Sequence, residues 1–247
     1  MSCLSVSPPA CGTNTNCPTI DGCIPGRCPD FQIKRNDTKP HFKISVTDDD
    51  GEPLDLTGNY IVEANMWACA KLKADVTSST TSLPFADNIG FYQILPNDII
   101  VVDWARSPEF MLVLGFDETN FLVNVARGYQ GTVAHDLKKG TKLKLFRVMN
   151  AVGSIDMEKE DVPQVDGTTA FGQLVNTFLK YDWTANDTCV AGCYWFEFKL
   201  LKMVDGVSVV PSIIPMCTSG VGVEWVRRFP QCGEFYIQIC SSPTGEL

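Results

Sequence analysis

Short runs of β-branched and aromatic residues, each closed by a turn signal, recur along most of this chain and point to an all-β fold. Phe42, Ile44 and Val46 alternate with Lys43, Ser45 and Thr47, the period of a half-buried strand. The acidic stretch Asp48-Asp49-Asp50-Gly51-Glu52-Pro53 follows, and its Asp-Gly pair supplies the positive φ of a tight turn. Asp55-Leu56-Thr57-Gly58 leads into a second run, Tyr60–Trp67, so residues 31–67 are predicted as a β-hairpin. Further strands are predicted at Gly90–Leu95, Ile99–Trp104, Glu109–Phe116, Phe121–Ala126, Lys142–Arg147, Gly192–Lys202, Val207–Pro211, Gly222–Phe229 and Glu234–Cys240. One segment breaks the pattern. Phe171, Leu174, Val175 and Phe178 are spaced i, i+3, i+4, i+7, which predicts a helix over Thr168–Leu179.

The chain divides into three parts on this reading. Residues 1–30 hold five cysteines and five prolines but only Asp21, Arg27 and Asp30 as charges, and show no period. Such a segment reads as an extended arm that must be cross-linked, metal-bound or docked on a partner. Residues 68–149 carry short strands at regular spacing, which suggests a small β-barrel or sandwich. Residues 150–247 return to longer elements, after the acidic stretch Asp156–Val165 that Pro163 interrupts.

Composition sets aside several classes. Hydrophobic residues make up 45% and charged residues 20%, which is ordinary for a globular protein. A net charge of -9 repels phosphate backbones, so no nucleic-acid partner is expected. No apolar run approaches the roughly 20 residues that span a bilayer, and no membrane insertion is expected. The start, MSCLSVSPPACG, has neither a basic n-region nor an apolar h-region, so no secretory signal is expected.

The eleven cysteines are unusual for a chain made in a reducing cytosol, and an odd count forbids complete internal pairing. A particle assembled inside a cell and released on lysis resolves the conflict. Cys3, Cys11, Cys17, Cys23 and Cys28 are therefore candidates for disulfides, some between subunits. Cys189 and Cys193 flank Gly192 as a candidate local cross-link. The spacers between Cys11, Cys17, Cys23 and Cys28 are five, five and four residues, longer than typical zinc knuckles, so no metal is assigned. Cys69, Cys217, Cys232 and Cys240 read as small buried hydrophobes.

No catalytic or cofactor-binding residue is assigned. His41 and His135, the two histidines, lie near no nucleophile elbow, metal-binding pair or phosphate loop. The carboxylates Asp48-Asp49-Asp50 and Glu158, Glu160, Asp161 read as solvated turns or faces. Trp67, Trp104, Trp183, Trp195 and Trp225 lie in or beside strands and read as core; the rival reading is a sugar-binding platform.

Three stretches carry a resemblance. Arg35-Asn36-Asp37-Thr38-Lys39-Pro40 followed by Asp48 to Gly58 resembles the opening of the immunoglobulin-like N-terminal domain of tailed-phage baseplate upper proteins. Tyr181-Asp182-Trp183-Thr184-Ala185-Asn186-Asp187-Thr188, then Gly192-Cys193-Tyr194, is similar to the later half of that domain. Arg127-Gly128-Tyr129-Gln130-Gly131-Thr132 looks like a short signature of small β modules in phage virion proteins. The resemblance implies an immunoglobulin-like sandwich from residues 31–67 plus 150–247, with a small β-barrel or sandwich module inserted at 68–149. The cysteine-rich arm, 1–30, has no counterpart in the family pattern. The resemblance implies a non-enzymatic subunit of the virion, in the tail, baseplate or tail fibre, assembled in the host cytoplasm. Its partners would be other tail and baseplate proteins and further copies of itself, forming an oligomer. Rival placements are the neck, collar or capsid surface, and a rival role is binding a host surface glycan.

Overall fold

The computed structural model describes residues 31–47, 52–58, 60–86, 94–102, 108–204, 207–208 and 235–240. They are mostly β-strand, with no α-helix. The strands are β1 (Phe31–Lys34), β2 (Phe42–Ser45), β3 (Tyr60–Lys71), β4 (Ser82–Pro84), β5 (Ile99–Val102), β6 (Glu109–Asp117) and β7 (Leu122–Ala126). Then follow β8 (Lys142–Val152), β9 (Ser154–Pro163), β10 (Thr169–Tyr181), β11 (Gly192–Val204), β12 (Val207–Ser208) and β13 (Phe235–Cys240). A ten-stranded sheet runs β1-β13-β11-β3-β8-β5-β6-β7-β4, with β12 beside β11. A three-stranded antiparallel sheet runs β2-β10-β9.

The two sheets face each other through aromatic side chains, which gives the molecule its β-sandwich character. Phe42 of β2 meets Phe196 and Phe198 of β11, with ring centroids 4.7 and 5.7 Å apart. Tyr181, at the end of β10, and Trp183 close the same cluster over Phe196. Residues 31–67 are therefore not a hairpin. β2 pairs with β10 in the small sheet, while β3 pairs with β11 and β8 in the large one. The bridge Thr47–Pro53 closes the turn locally, and the chain then crosses to the opposite layer. β3 is buried on both sides from Ala64 to Ala68, which suits the middle of a wide sheet rather than a hairpin edge.

The predicted helix at 168–179 is strand β10. From Thr177 burial alternates in the strand period, with Thr177, Leu179 and Tyr181 buried. Two bulges, between Ala170 and Gln173 and between Leu174 and Asn176, each place one extra residue on β10. Each bulge flips the parity of the side chains, and two flips turn a period of 2 into an imitation of 3.6.

The border expected at 67/68 and 149/150 falls inside β3 and β8. β3 pairs with β11 over Tyr60–Trp67 and with β8 over Glu63–Lys71, so one hydrogen-bonded sheet crosses the border. Near it β8 bulges around Asn150, which has a φ of 50°. The buried Asn65 accepts the Asn150 N–H at 2.8 Å, supplying the partner that the bulge removes from the ladder. Gly153 then carries the chain to the other layer. A Cβ there would lie 2.8 Å from Val62 Cγ1 and 2.9 Å from the Lys180 carbonyl, so only glycine fits.

Candidate functional site

Four places in the fold hold chemistry worth weighing: the Arg127 turn, the junction of the two terminal halves, a polar cavity, and the β9–β10 hairpin. At the first, the Arg127 guanidinium is almost wholly buried against the fully buried Glu109 carboxylate of β6. Nε donates to Oε1, and one terminal nitrogen donates to Oε2 at 2.8 Å and to the His135 carbonyl at 2.6 Å. The other donates to the carbonyls of Thr77 and Thr80 at 3.0 and 3.2 Å. Glu109 also accepts the His135 N–H at 3.0 Å. This bidentate pair stitches three backbone segments together. Thr132 Oγ1 accepts the Phe110 N–H and donates to the Tyr129 carbonyl. Gly128 has a φ of 64°, and a Cβ there would lie 2.8 Å from the Thr132 carbonyl oxygen. The Arg-Gly-Tyr-Gln-Gly-Thr motif is thus a scaffold device. Its glycines were readable from sequence; the arginine's role depends on Glu109, eighteen residues away, and had no local signal.

The second place joins stretches that lie about 150 residues apart in sequence. The Asn36 N–H donates to the Thr188 carbonyl at 3.1 Å, Thr188 Oγ1 donates to the Asp37 carbonyl at 2.9 Å, and Arg35 Nε donates to the Cys189 carbonyl at 2.7 Å. Asp187 holds the turn from within. Its Oδ2 accepts the Tyr181 hydroxyl at 3.0 Å and the Thr184 N–H at 2.7 Å. Burial and the Asp187 charge push the Tyr181 hydroxyl well above the usual tyrosine range. Cys189 keeps a free thiol. Cys193, buried on β11, is in the disulfide state, so the two are not joined and the local cross-link is corrected. Cys3, Cys11, Cys17, Cys23 and Cys28 lie outside the described residues. Cys69 is exposed rather than a buried hydrophobe. Trp67 and Trp183 are buried, Trp195 packs against Tyr236 at 5.4 Å, and Trp104 and Trp225 lie outside the described residues.

A cavity of about 320 Å³ is lined by Asn97, Asp98, Phe146, Arg147, Met149 and Asn186 among others. Asp98 faces Arg147 at 3.3 Å and accepts the Leu95 N–H at 2.7 Å. Burial outweighs both and pushes its carboxyl up to about 6. Among the described lining residues Asp98 is the one carboxylate. No group of three His, Cys, Asp or Glu side chains stands ready to hold a metal among the described residues. His41 sits exposed beside Asp182, and His135 is held by its backbone at the Arg127 turn. No helix among the described residues is long and apolar enough to cross a membrane.

The fourth place is the β9–β10 hairpin. Its base lies over the sandwich, where Ile155 and Met157 pack against the core. There Lys43 Nζ sits 3.7 Å from the Phe178 ring centroid and donates to Asp156 at 2.9 Å. That bond holds the Lys43 ammonium above its ordinary pKa. No residue from Glu158 to Asn176 is buried. No protein-family model and no curated protein matches the chain.

Proposed function

We propose that this chain is a non-enzymatic structural subunit of a tailed bacteriophage particle, in the tail, baseplate or tail-fibre attachment. The sandwich of residues 31–67 and 150–247 is immunoglobulin-like on this reading. The observation that supports it best is the junction of the two resembling stretches. Arg35–Asp37 and Thr188–Cys189 are hydrogen-bonded neighbours despite their sequence separation. That is the arrangement expected if one sandwich is interrupted by an inserted segment. The clasped Arg127 turn favours the same reading, because its polar groups are consumed in holding backbone together rather than left facing a substrate.

Immunogold electron microscopy with an antibody to this chain tests the proposal on purified particles. Label at the distal tail is the expected result. Label at the neck or head keeps the virion role and moves the placement. No label on intact, permeabilised or disrupted particles overturns the reading.

A further inference from the structure

The distal half of the β9–β10 hairpin is built to be covered. Val165 at its turn is fully exposed, and Phe171 is 81% exposed. Phe171 is held outward by construction. It occupies a β-bulge with Gly172, whose φ is 60° and whose N–H donates to Asp161 Oδ1 at 2.9 Å. A two-stranded hairpin with no third layer is marginal in water, and an aromatic displayed on it is a typical interface anchor. Its distal charge is one-sided: Glu158, Glu160, Asp161 and Asp166 stand against Lys159, while Asp156 at the base is paired with Lys43 and Lys180 lies at the base end of β10.

The same chain carries the complementary surface. The ladder of residues 69–76 with 137–144 gathers Lys71, Lys73, Lys138, Lys139, Lys142 and Lys144 into one corner, against Asp75 and Asp136. Asp75 is already engaged by Lys138 and by the Lys139 N–H. Lys71 and Lys142 are direct cross-strand partners. Val133, in the adjoining loop, is exposed. This corner lies at the Lys71 end of β3, whereas β9 departs beside Val62, about 30 Å away along the strand. The two surfaces belong to opposite ends of β3.

The geometry points to head-to-tail self-association, in which the acidic, Phe171-bearing hairpin of one copy docks on the lysine corner of the next. The contact uses a different patch on each copy, so repetition closes a ring or extends a filament. This deepens the assembly reading above by naming the partner of one surface. Opposite charges select the register, and Phe171 and Val165 supply the desolvated centre.

The test uses the full-length chain under reductant, so that disulfides do not contribute. Unlabelled and nitrogen-15-labelled chains are mixed and treated with a zero-length carbodiimide, which joins carboxylates to lysines in contact. Mixed-isotope cross-links between the Glu158–Asp161 peptide and the Lys138–Lys144 peptides are expected. They should vanish in about 1 M salt, where screening extends only about 3 Å. In sedimentation equilibrium, Phe171→Ser and Glu160→Lys should each weaken association by on the order of tenfold. Glu160→Lys combined with Lys142→Glu should recover part of the loss. A chain that stays monomeric at every concentration, or cross-links confined to single-isotope pairs, overturns the inference. So does a Phe171→Ser chain lost from particles while the isolated wild type is monomeric, because the hairpin's partner is then another protein. None of these results touches the virion reading, which the gold label decides by itself.

Discussion

Arg127 and Phe171 lie within fifty residues of each other and represent opposite uses of a side chain. Around Arg127 every charge is withdrawn from water and committed to neighbouring backbone. Around Phe171 nothing is buried, and the bulge exists to keep the ring outside. The first region holds the molecule together; the second is spare until something meets it. The contrast teaches where to look for function in a chain with no catalytic cluster among its described residues. The tidy motif is scaffold, and the acidic hairpin is the exposed surface on which the proposed self-association rests.

The contrast breaks most readily at Arg127. Arg127→Met leaves the Glu109 carboxylate buried without its countercharge, and should cost about 3–5 kcal/mol in urea unfolding. A loss under about 1 kcal/mol would show that the clasp does not anchor the three backbone segments it touches. Asp98 gives the next largest effect, with a sign opposite to ordinary carboxylates. Its folded pKa of about 6 exceeds the ordinary aspartate value of 3.8, so the folded chain takes up the proton first. Stability should therefore rise as pH falls from about 6 to about 4, by on the order of 2–3 kcal/mol relative to Asp98→Asn. The exposed turn carboxylates run the other way. Asp75, Asp117 and Asp166 are held below the usual range by the Lys139 N–H, the Asn120 side chain and the Thr168 hydroxyl, respectively. They contribute stability above pH 4 that fades as pH falls through their lowered values. A wild-type minus Asp98→Asn difference that stays flat across the window would remove the buried-acid account.

Gly153→Ala should cost about 1–3 kcal/mol, since the new methyl meets Val62 and a fixed carbonyl. Differential scanning calorimetry reads this directly. The smallest effect belongs to the hairpin. Phe171→Ser should shift stability by less than about 0.5 kcal/mol, as expected for a side chain that is mostly exposed in the isolated chain. A large destabilisation there would mean the ring is packed and the contrast is false.

Much of the strand framework was legible in the sequence. Runs at Phe42, Tyr60, Ile99, Glu109, Lys142 and Gly192 begin strands β2, β3, β5, β6, β8 and β11. β-branched and aromatic alternation reports half-buried strands well, and these are such strands. β10 was misread because its two bulges each add a residue, which no periodicity count can know in advance. β9 reads from sequence only as an acidic stretch, because its exposed residues carry no apolar alternation. The pairing of β2 with β10 rather than β3 was not legible, because layer choice depends on partners over 130 residues away. At the Arg127 turn the glycines announced themselves through backbone need, whereas the Glu109 partner is a matter of tertiary approach.

β3 has a last consequence. Because Tyr60–Trp67 and Glu63–Lys71 are ladder residues of one strand serving two neighbours, neither half can melt without stripping the other of hydrogen bonds. The molecule should lose its structure in a single cooperative event, with one heat-capacity peak whose calorimetric and van't Hoff enthalpies agree. Cutting the chain at 67 and 149 would then release not a smaller protein but two incomplete sheets, each with a raw edge where its other half had been.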